Sequence, residues 1–438
     1  MSLRREWTWL VILIFLGSIL RIQAISTTEL ETPIRADARD YYFAAFNLKY
    51  WQTFSIAPPA SAAPAPDAVR PPVIPVLIAT IIEPMPAEGM LFRFNLFQTV
   101  LDTLTILFSF LLFRQLGKPV VALGAAFLVA LSPHLIVMTT YLLTETTFTF
   151  LVAGGVLAGS LALVRSSTGW AAGAGILFGL SALTRSTTEF FPLFLLIFLF
   201  PLTDRQTFRR AVVPIVLGAL LIIGSWKLRN FLSTGALSDP TLTINTVLHG
   251  MYPDFMYNGD PQSLGVPYRF DPFASHVGSL GDVLGELWRR ASTESWQYLR
   301  WYLFDKPVAL LSWKLVDGAG DIFVYPPSYS PYFDRPLFVL SRLLMYWLHA
   351  LLSIAAVAGF VLSVVKPRWL GLTGSNRYPA LLMTAVVAFF IAVHVAGFPL
   401  ARYGIPLRPY VYGFGLFALV YWGELFWAKL RAQPTTHP

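Results

Sequence analysis

The chain has 438 residues, of which 55% are hydrophobic, 15% aromatic and only 13% charged, with a net charge of +8 and no cysteine. Soluble domains carry about 25% charged residues, so this balance excludes a water-soluble enzyme. The missing cysteine excludes disulfides, thiolate metal centres and cysteine nucleophiles. The basic residues fall mostly at the ends of apolar runs, which points to membrane topology and away from nucleic acid.

In chain order, apolar stretches approaching the roughly 20 residues that cross a bilayer core lie at 7–25, 91–113, 119–138, 143–164, 170–184, 188–202, 211–229, 340–365, 379–398 and 407–428. The predicted fold is an all-α polytopic membrane protein of about ten crossing helices. The first stretch follows Arg4 and Arg5 without a convincing small-residue cleavage site and reads as a retained signal anchor. Residues 72–82 are apolar but too short to cross, and together with 298–313 they are expected to lie at the interface.

Orientation follows from the short loops. Arg4, Arg5, Arg114, Lys118, Arg165, Arg205, Arg209, Arg210, Lys366, Arg368, Arg377, Lys429 and Arg431 fall on one side, against Arg185, Arg402 and Arg408 on the other. The richer side is predicted cytoplasmic, with both termini inside. Two long segments then face outward, 26–90 and 230–339. The organisation expected is an N-terminal membrane module (1–229) containing the first external loop, an aromatic-rich external region (230–339) and C-terminal membrane helices (340–438).

The charged residues expected at the outer end need an account. In "RADARDYYFAAFNL" a helix starting near Ala36 places Asp37, Asp40, Ala44 and Asn47 on one stripe. Paired carboxylates there suit a general base on a hydroxyl or a divalent cation, although acids in a first helical turn also complement the helix dipole. Glu145 starts the fourth span. Arg70, Arg185, Arg229 and Arg402 stand at the same predicted level, and guanidinium forks bind phosphate well. Within the membrane, Asn95, Gln98 and Asp102 share a face of the second span, as interhelical hydrogen-bond partners or a polar path. His349 and His394 read as packing residues. No nucleotide-binding loop, metal-ligand spacing or nucleophile elbow is present.

The ordered landmarks "DARDYYFAAFNL", "RPPVIPVLIA", "LLTETTFTFL", "GILFGLSALTRS", "WKLRN" and "ARYGIPLRPY" resemble those of GT-C glycosyltransferases, in particular bacterial members similar to protein O-mannosyltransferases and the lipid A aminoarabinose transferase. The resemblance implies a GT-C-like bundle and an inverting sugar transfer from a polyprenyl-phosphate donor at the outer face of the bacterial cytoplasmic membrane. It implies a lipid, glycan or protein acceptor. It also implies Asp37 as general base with Asp40 beside it, and Arg70, Arg185, Arg229 and Arg402 as binders of the donor phosphate. Glu145 and Tyr403 are substrate-binding candidates, and a divalent metal at Asp37 and Asp40 is allowed but not required. The rival reading is a polyprenyl-linked saccharide flippase or other secondary transporter, which needs a polar path through the membrane; the stripe of Asn95, Gln98 and Asp102 is the one such feature.

Overall fold

A computed structural model of the protein describes residues 2–82, 88–316 and 319–431. The chain begins with α1 (Leu3–Thr27), then α2 (Asp37–Trp51), α3 (Val73–Ala79) and α4 (Glu88–Arg114). Next come α5 (Pro119–Leu131), α6 (Pro133–Met138), α7 (Glu145–Arg165), α8 (Thr168–Ala182) and α9 (Phe191–Leu199). A short α10 (Arg205–Thr207) passes through a π-helical turn into α11 (Val213–Thr234). The region after it contains α12 (Thr241–Gly250), α13 (Leu280–Thr293), α14 (Ser295–Arg300) and α15 (Lys306–Leu311). Three long helices close the chain: α16 (Pro336–Val365), α17 (Arg377–Ala396) and α18 (Arg408–Arg431).

Among the described residues, seven helices are long and apolar enough to cross a membrane, and three shorter apolar ones lie at Pro119–Leu131, Thr168–Ala182 and Ser186–Leu202. They correspond to the predicted stretches. The bundle is built on α4, which packs on α1, α5 and α7, and on the pairs α7 with α8, α8 with α11, and α16 with α18. Residues 72–82 form only the short α3, which lies against α2. The 298–313 stretch becomes α14, a π turn and α15, not one long helix.

The predicted 119–138 span is broken, for a local reason. Pro133 lacks an N–H and cannot bond the Val129 carbonyl, so the helix divides at Ser132. The released carbonyls of Val129 and Ala130 accept from the two terminal nitrogens of Arg21, at 3.1 and 3.0 Å. Arg21 in turn pairs through Nε with Asp102 Oδ2 at 2.6 Å, both side chains fully buried. Asn95 donates to Thr140 O at 3.2 Å and Gln98 to Tyr141 O at 2.6 Å, satisfying the irregular segment 139–144 that leads into α7. The donors of the stripe and one Asp102 oxygen thus support a broken helix, while the second oxygen of Asp102 and the amide oxygens of Asn95 and Gln98 are buried without a hydrogen-bond partner among the described residues.

The segments at the two ends of the site are tied together. Strand β1 (Glu29–Leu30) pairs antiparallel with β2 (Pro327–Tyr329), pinning the loop before α2 to the segment before α16. His349 is not a passive packing residue as expected. Its Nε2 lies 2.7 Å from Leu311 O while Arg408 donates to Ser312 O at 2.9 Å, and His134 Nε2 lies 2.8 Å from Trp313 O. Three bundle side chains therefore take up three successive carbonyls where the chain leaves α15, those of Leu311, Ser312 and Trp313.

Candidate functional site

Asp37 opens α2 at the end of an unusual turn. Ala36 has φ 46° and ψ −125°, a left-handed conformation that costs a residue with a Cβ on the order of 1–3 kcal/mol. Its surroundings hold it there. Arg35 O accepts from Ala38 N and from Tyr325 Oη, both at 3.0 Å, and the Arg35 guanidinium lies 5.5 Å from the Tyr325 ring centre. Tyr141 Oη donates to Tyr325 O at 3.2 Å. The remainder of the first two turns buries Ala38, Tyr41, Tyr42, Ala44 and Ala45, leaving the two acids on the open side.

From Asp37 an unbroken chain of ion pairs runs across the end of the bundle. Arg70 Nη2 donates to Asp37 Oδ1 at 2.8 Å and to Asp40 Oδ2 at 2.7 Å. Arg402 Nη2 donates to the other Asp37 oxygen at 3.1 Å, and its Nε reaches Glu145 Oε1 at 2.6 Å. Arg185 Nη1 donates to the same Glu145 oxygen at 2.7 Å and to Thr144 Oγ1 at 3.3 Å. The Arg185 guanidinium lies 4.3 Å from the centre of the Tyr403 ring, a cation–π contact. Residues from α2, the following loop, the start of α7, the end of α8 and the turn before α18 thus meet at one place.

Burial pushes the Asp37 carboxyl up, but the guanidiniums of Arg402, Arg70 and Arg185 outweigh it and hold it down at about 2. Asp37 is therefore a carboxylate at any physiological pH. Asp37, Asp40 and Glu145 oppose Arg70, Arg185 and Arg402, so the cluster balances in formal charge. Glu145 is almost completely buried and shared by two arginines, which makes it the group that sets their spacing. It starts α7 but forms no side-chain cap.

Arg229 does not join the cluster. Its Nη1 donates to Asp67 O at 2.9 Å and its guanidinium lies over Phe54 and Trp226. Asp67 accepts from the backbone of Ile56 and Val69, so Arg229 braces the loop that presents Arg70. The acids Asp37 and Asp40 were also the expected place for a divalent cation. Arg70 now lies between them, and the second Asp37 oxygen is taken by Arg402. Among the described residues no three His, Asp or Glu side chains converge as a ligand set. This donor arrangement does not fit a resident metal.

The turn before α18 is clamped by close backbone contacts. Gly404 lies against the Leu310 carbonyl, and Gly250 against the Gly397 carbonyl; a Cβ at either glycine would clash with backbone. Lys306 donates to Val395 O and Gly397 O, each at 2.8 Å. Sequence reasoning missed this lysine, Thr144 and Arg21. An isolated cation in an apolar stretch was the one available signal for Arg21 and Lys306.

The helical bundle is similar in fold to solved oligosaccharyltransferases. More particularly, residues 69–226 match the family model of dolichyl-phosphate-mannose-protein mannosyltransferases, a segment that carries Arg70, Glu145 and Arg185. Among solved structures, the archaeal oligosaccharyltransferase AglB from Archaeoglobus fulgidus, in complex with an inhibitory peptide and a dolichol-phosphate, is similar at 15% identity and TM-score 0.55. The match covers 99% of this chain and 52% of that one, so the chain spans about half the length of AglB. The same enzyme in complex with zinc and sulfate matches at 18% identity and TM-score 0.51, over 98% and 52% of the two chains. ArnT from Cupriavidus metallidurans bound to undecaprenyl phosphate aligns at 13% identity and TM-score 0.43, over 94% and 78%. No curated protein sequence matches the chain.

Proposed function

We propose that the protein moves a sugar from a polyprenyl-phosphate carrier to an acceptor hydroxyl at the outer face of the bacterial cytoplasmic membrane, with inversion at the anomeric carbon and Asp37 as general base. The observation that carries this reading is Asp37 fixed between Arg70 and Arg402, with Glu145 and Arg185 extending the row. The mannosyltransferase family match and the lipid-phosphate ligands of the structural relatives support it. In this reading residues 1–229 form the membrane module with the first external loop, 230–339 the external region and 340–438 the C-terminal membrane helices, and the acceptor is a lipid, glycan or protein.

The chemistry follows from charge. The carrier is a phosphodiester with one negative charge, and it leaves as a phosphate monoester that gains a second as the glycosidic C–O bond breaks. The acceptor hydroxyl forms the new C–O bond from the opposite side, and its proton goes to Asp37. Because the cluster starts balanced, neutralising Asp37 turns it net positive as negative charge grows on the leaving phosphate. Preorganised guanidiniums facing developing charge are worth far more in a water-poor site than in bulk water. Arginines drawn onto the donor phosphate also loosen their hold on Asp37, which raises its basicity when a proton must be accepted. Arg402 and Arg185, anchored on Glu145, are the phosphate-facing pair, with Arg70 the cation nearest the base. Tyr403 lies under Arg185 and orients it.

A transporter would need the membrane stripe free for substrate. The amide nitrogens of Asn95 and Gln98 instead donate to backbone carbonyls and Asp102 is paired with Arg21, so the donors and the charge of the stripe are already engaged. The test is transfer by the purified protein from synthetic polyprenyl-phosphate sugars, read as release of polyprenyl phosphate. Asp37→Asn should reduce turnover by about 10²- to 10⁴-fold while keeping its fold and insertion; near-normal turnover in a well-folded variant rejects Asp37 as the base.

A further inference from the structure

Helix α13 has two opposed faces. One packs inward: Val283 is fully buried in a cluster with Leu248, Met251 and Tyr252, and Arg290 is paired with Asp271 and Glu286. The other carries Leu280, Leu284 and Trp288 at four-residue spacing, all exposed, with Trp288 at 77%. Among the described residues nothing covers this stripe. It is continued by exposed Trp296, Leu299, Leu303, Phe304 and Val308 along α14, the π turn after it and α15.

We infer that α13, α14 and α15 form an amphipathic apron lying on the outer leaflet, with the apolar row seated in lipid at the boundary between headgroups and acyl chains. The sequence placed 298–313 at the interface; the structure carries that surface on to α13, in the region otherwise read as external. Three observations select lipid as the occupant. The row is continuous with the membrane bundle, because Lys306 is bonded to the carbonyls of Val395 and Gly397 at the end of α17, which fixes Phe304 and Val308 at the bilayer edge. Its composition of tryptophan, leucine and phenylalanine is that of interfacial helices, which bury such a face about 5–10 Å deep. Arg289 and Arg300 flank the row with largely exposed side chains, paired with Glu286 and Asp305, an arrangement of amphipathic charges suited to the headgroup layer.

The absence of cysteine makes the test direct. Leu284→Cys and Trp288→Cys are each labelled with a nitroxide in the full-length protein, reconstituted in nanodiscs of phosphatidylcholine and phosphatidylglycerol. Leu340→Cys, on the exposed face of α16, serves as the in-bilayer reference. Collisions with oxygen are compared with collisions with a water-soluble nickel chelate. Both α13 labels should favour oxygen, as the reference does. A label as open to nickel as a free aqueous nitroxide overturns the apron, and so does protection from both reagents, which marks contact with a second copy. Both substituted side chains lie on the surface of the protein and not in its core, so loss of fold is not expected, and the two sites check one another.

Discussion

Arg402→Ala is the most informative perturbation of the proposed site. The Arg402 side chain is 8% exposed and makes two charge-assisted hydrogen bonds, to Glu145 at 2.6 Å and to Asp37 at 3.1 Å. Each bond of this kind contributes about 1.5–3 kcal/mol. Neither acid is stranded by the truncation, because Glu145 keeps Arg185 at 2.7 Å and Asp37 keeps Arg70 at 2.8 Å. Two such bonds sum to about 3–6 kcal/mol, and because neither acid is orphaned the stability loss should fall at the lower end, about 3 kcal/mol. The catalytic loss should be comparable or larger. Removing one preorganised donor from a developing oxyanion costs roughly 10²- to 10³-fold in turnover, or about 2.7–4 kcal/mol. The cluster also becomes net negative, which opposes a growing phosphate charge. Arg402→Lys, which keeps the charge without the planar fork, should fall between the two. The assay is donor-dependent release of polyprenyl phosphate by purified variants in nanodiscs, with kcat and KM separated and inserted fold verified by thermal melting. If Arg402→Ala keeps donor kcat/KM within about threefold of wild type, less than about 0.7 kcal/mol, the guanidinium does not face the donor phosphate and the proposed charge logic fails.

Two further outcomes follow from buried charges. Asp37 is depressed from 3.8 to about 2 by its arginines. Its ionised form therefore stabilises the fold fully above pH 3.8, and that contribution is lost as pH falls towards 2. Wild type should lose more melting temperature than Asp37→Asn across that window, and equal losses would contradict the pairing. In the membrane, Arg21→Met leaves Asp102 buried without its cation and should destabilise by about 3–5 kcal/mol. Arg21→Met combined with Asp102→Leu should regain part of the loss in a detergent or nanodisc melt, whereas additive losses would mean the pair is not coupled.

How much of this was legible in the sequence depends on the range of the interaction. Hydrophobic runs are set by the bilayer and local composition, so the predicted crossing stretches correspond closely to the apolar helices. The pairing of Asp37 with Asp40 on one helical face followed from helical spacing alone, and Arg70, Glu145, Arg185, Arg402 and Tyr403 do gather around them. Arg229 lies outside the ion-pair row, donating to the Asp67 carbonyl over Phe54 and Trp226, because a position at the end of an apolar run says nothing of lateral position. Arg21 was overlooked because its partner Asp102 is 81 residues away and its reason to exist is a helix break caused by Pro133.

The sequence by itself determined what depends on one segment and its solvent: the number and approximate position of the apolar helices and the acids at a helix start. Tertiary packing decided which arginine faces which acid, and that the donors of the intramembrane stripe are spent on backbone carbonyls. It also decided that the Asp37 carboxyl is held by two guanidiniums from opposite ends of the chain. Coulomb energy between side chains changes over a few ångströms, and such distances exist only once the helices have packed.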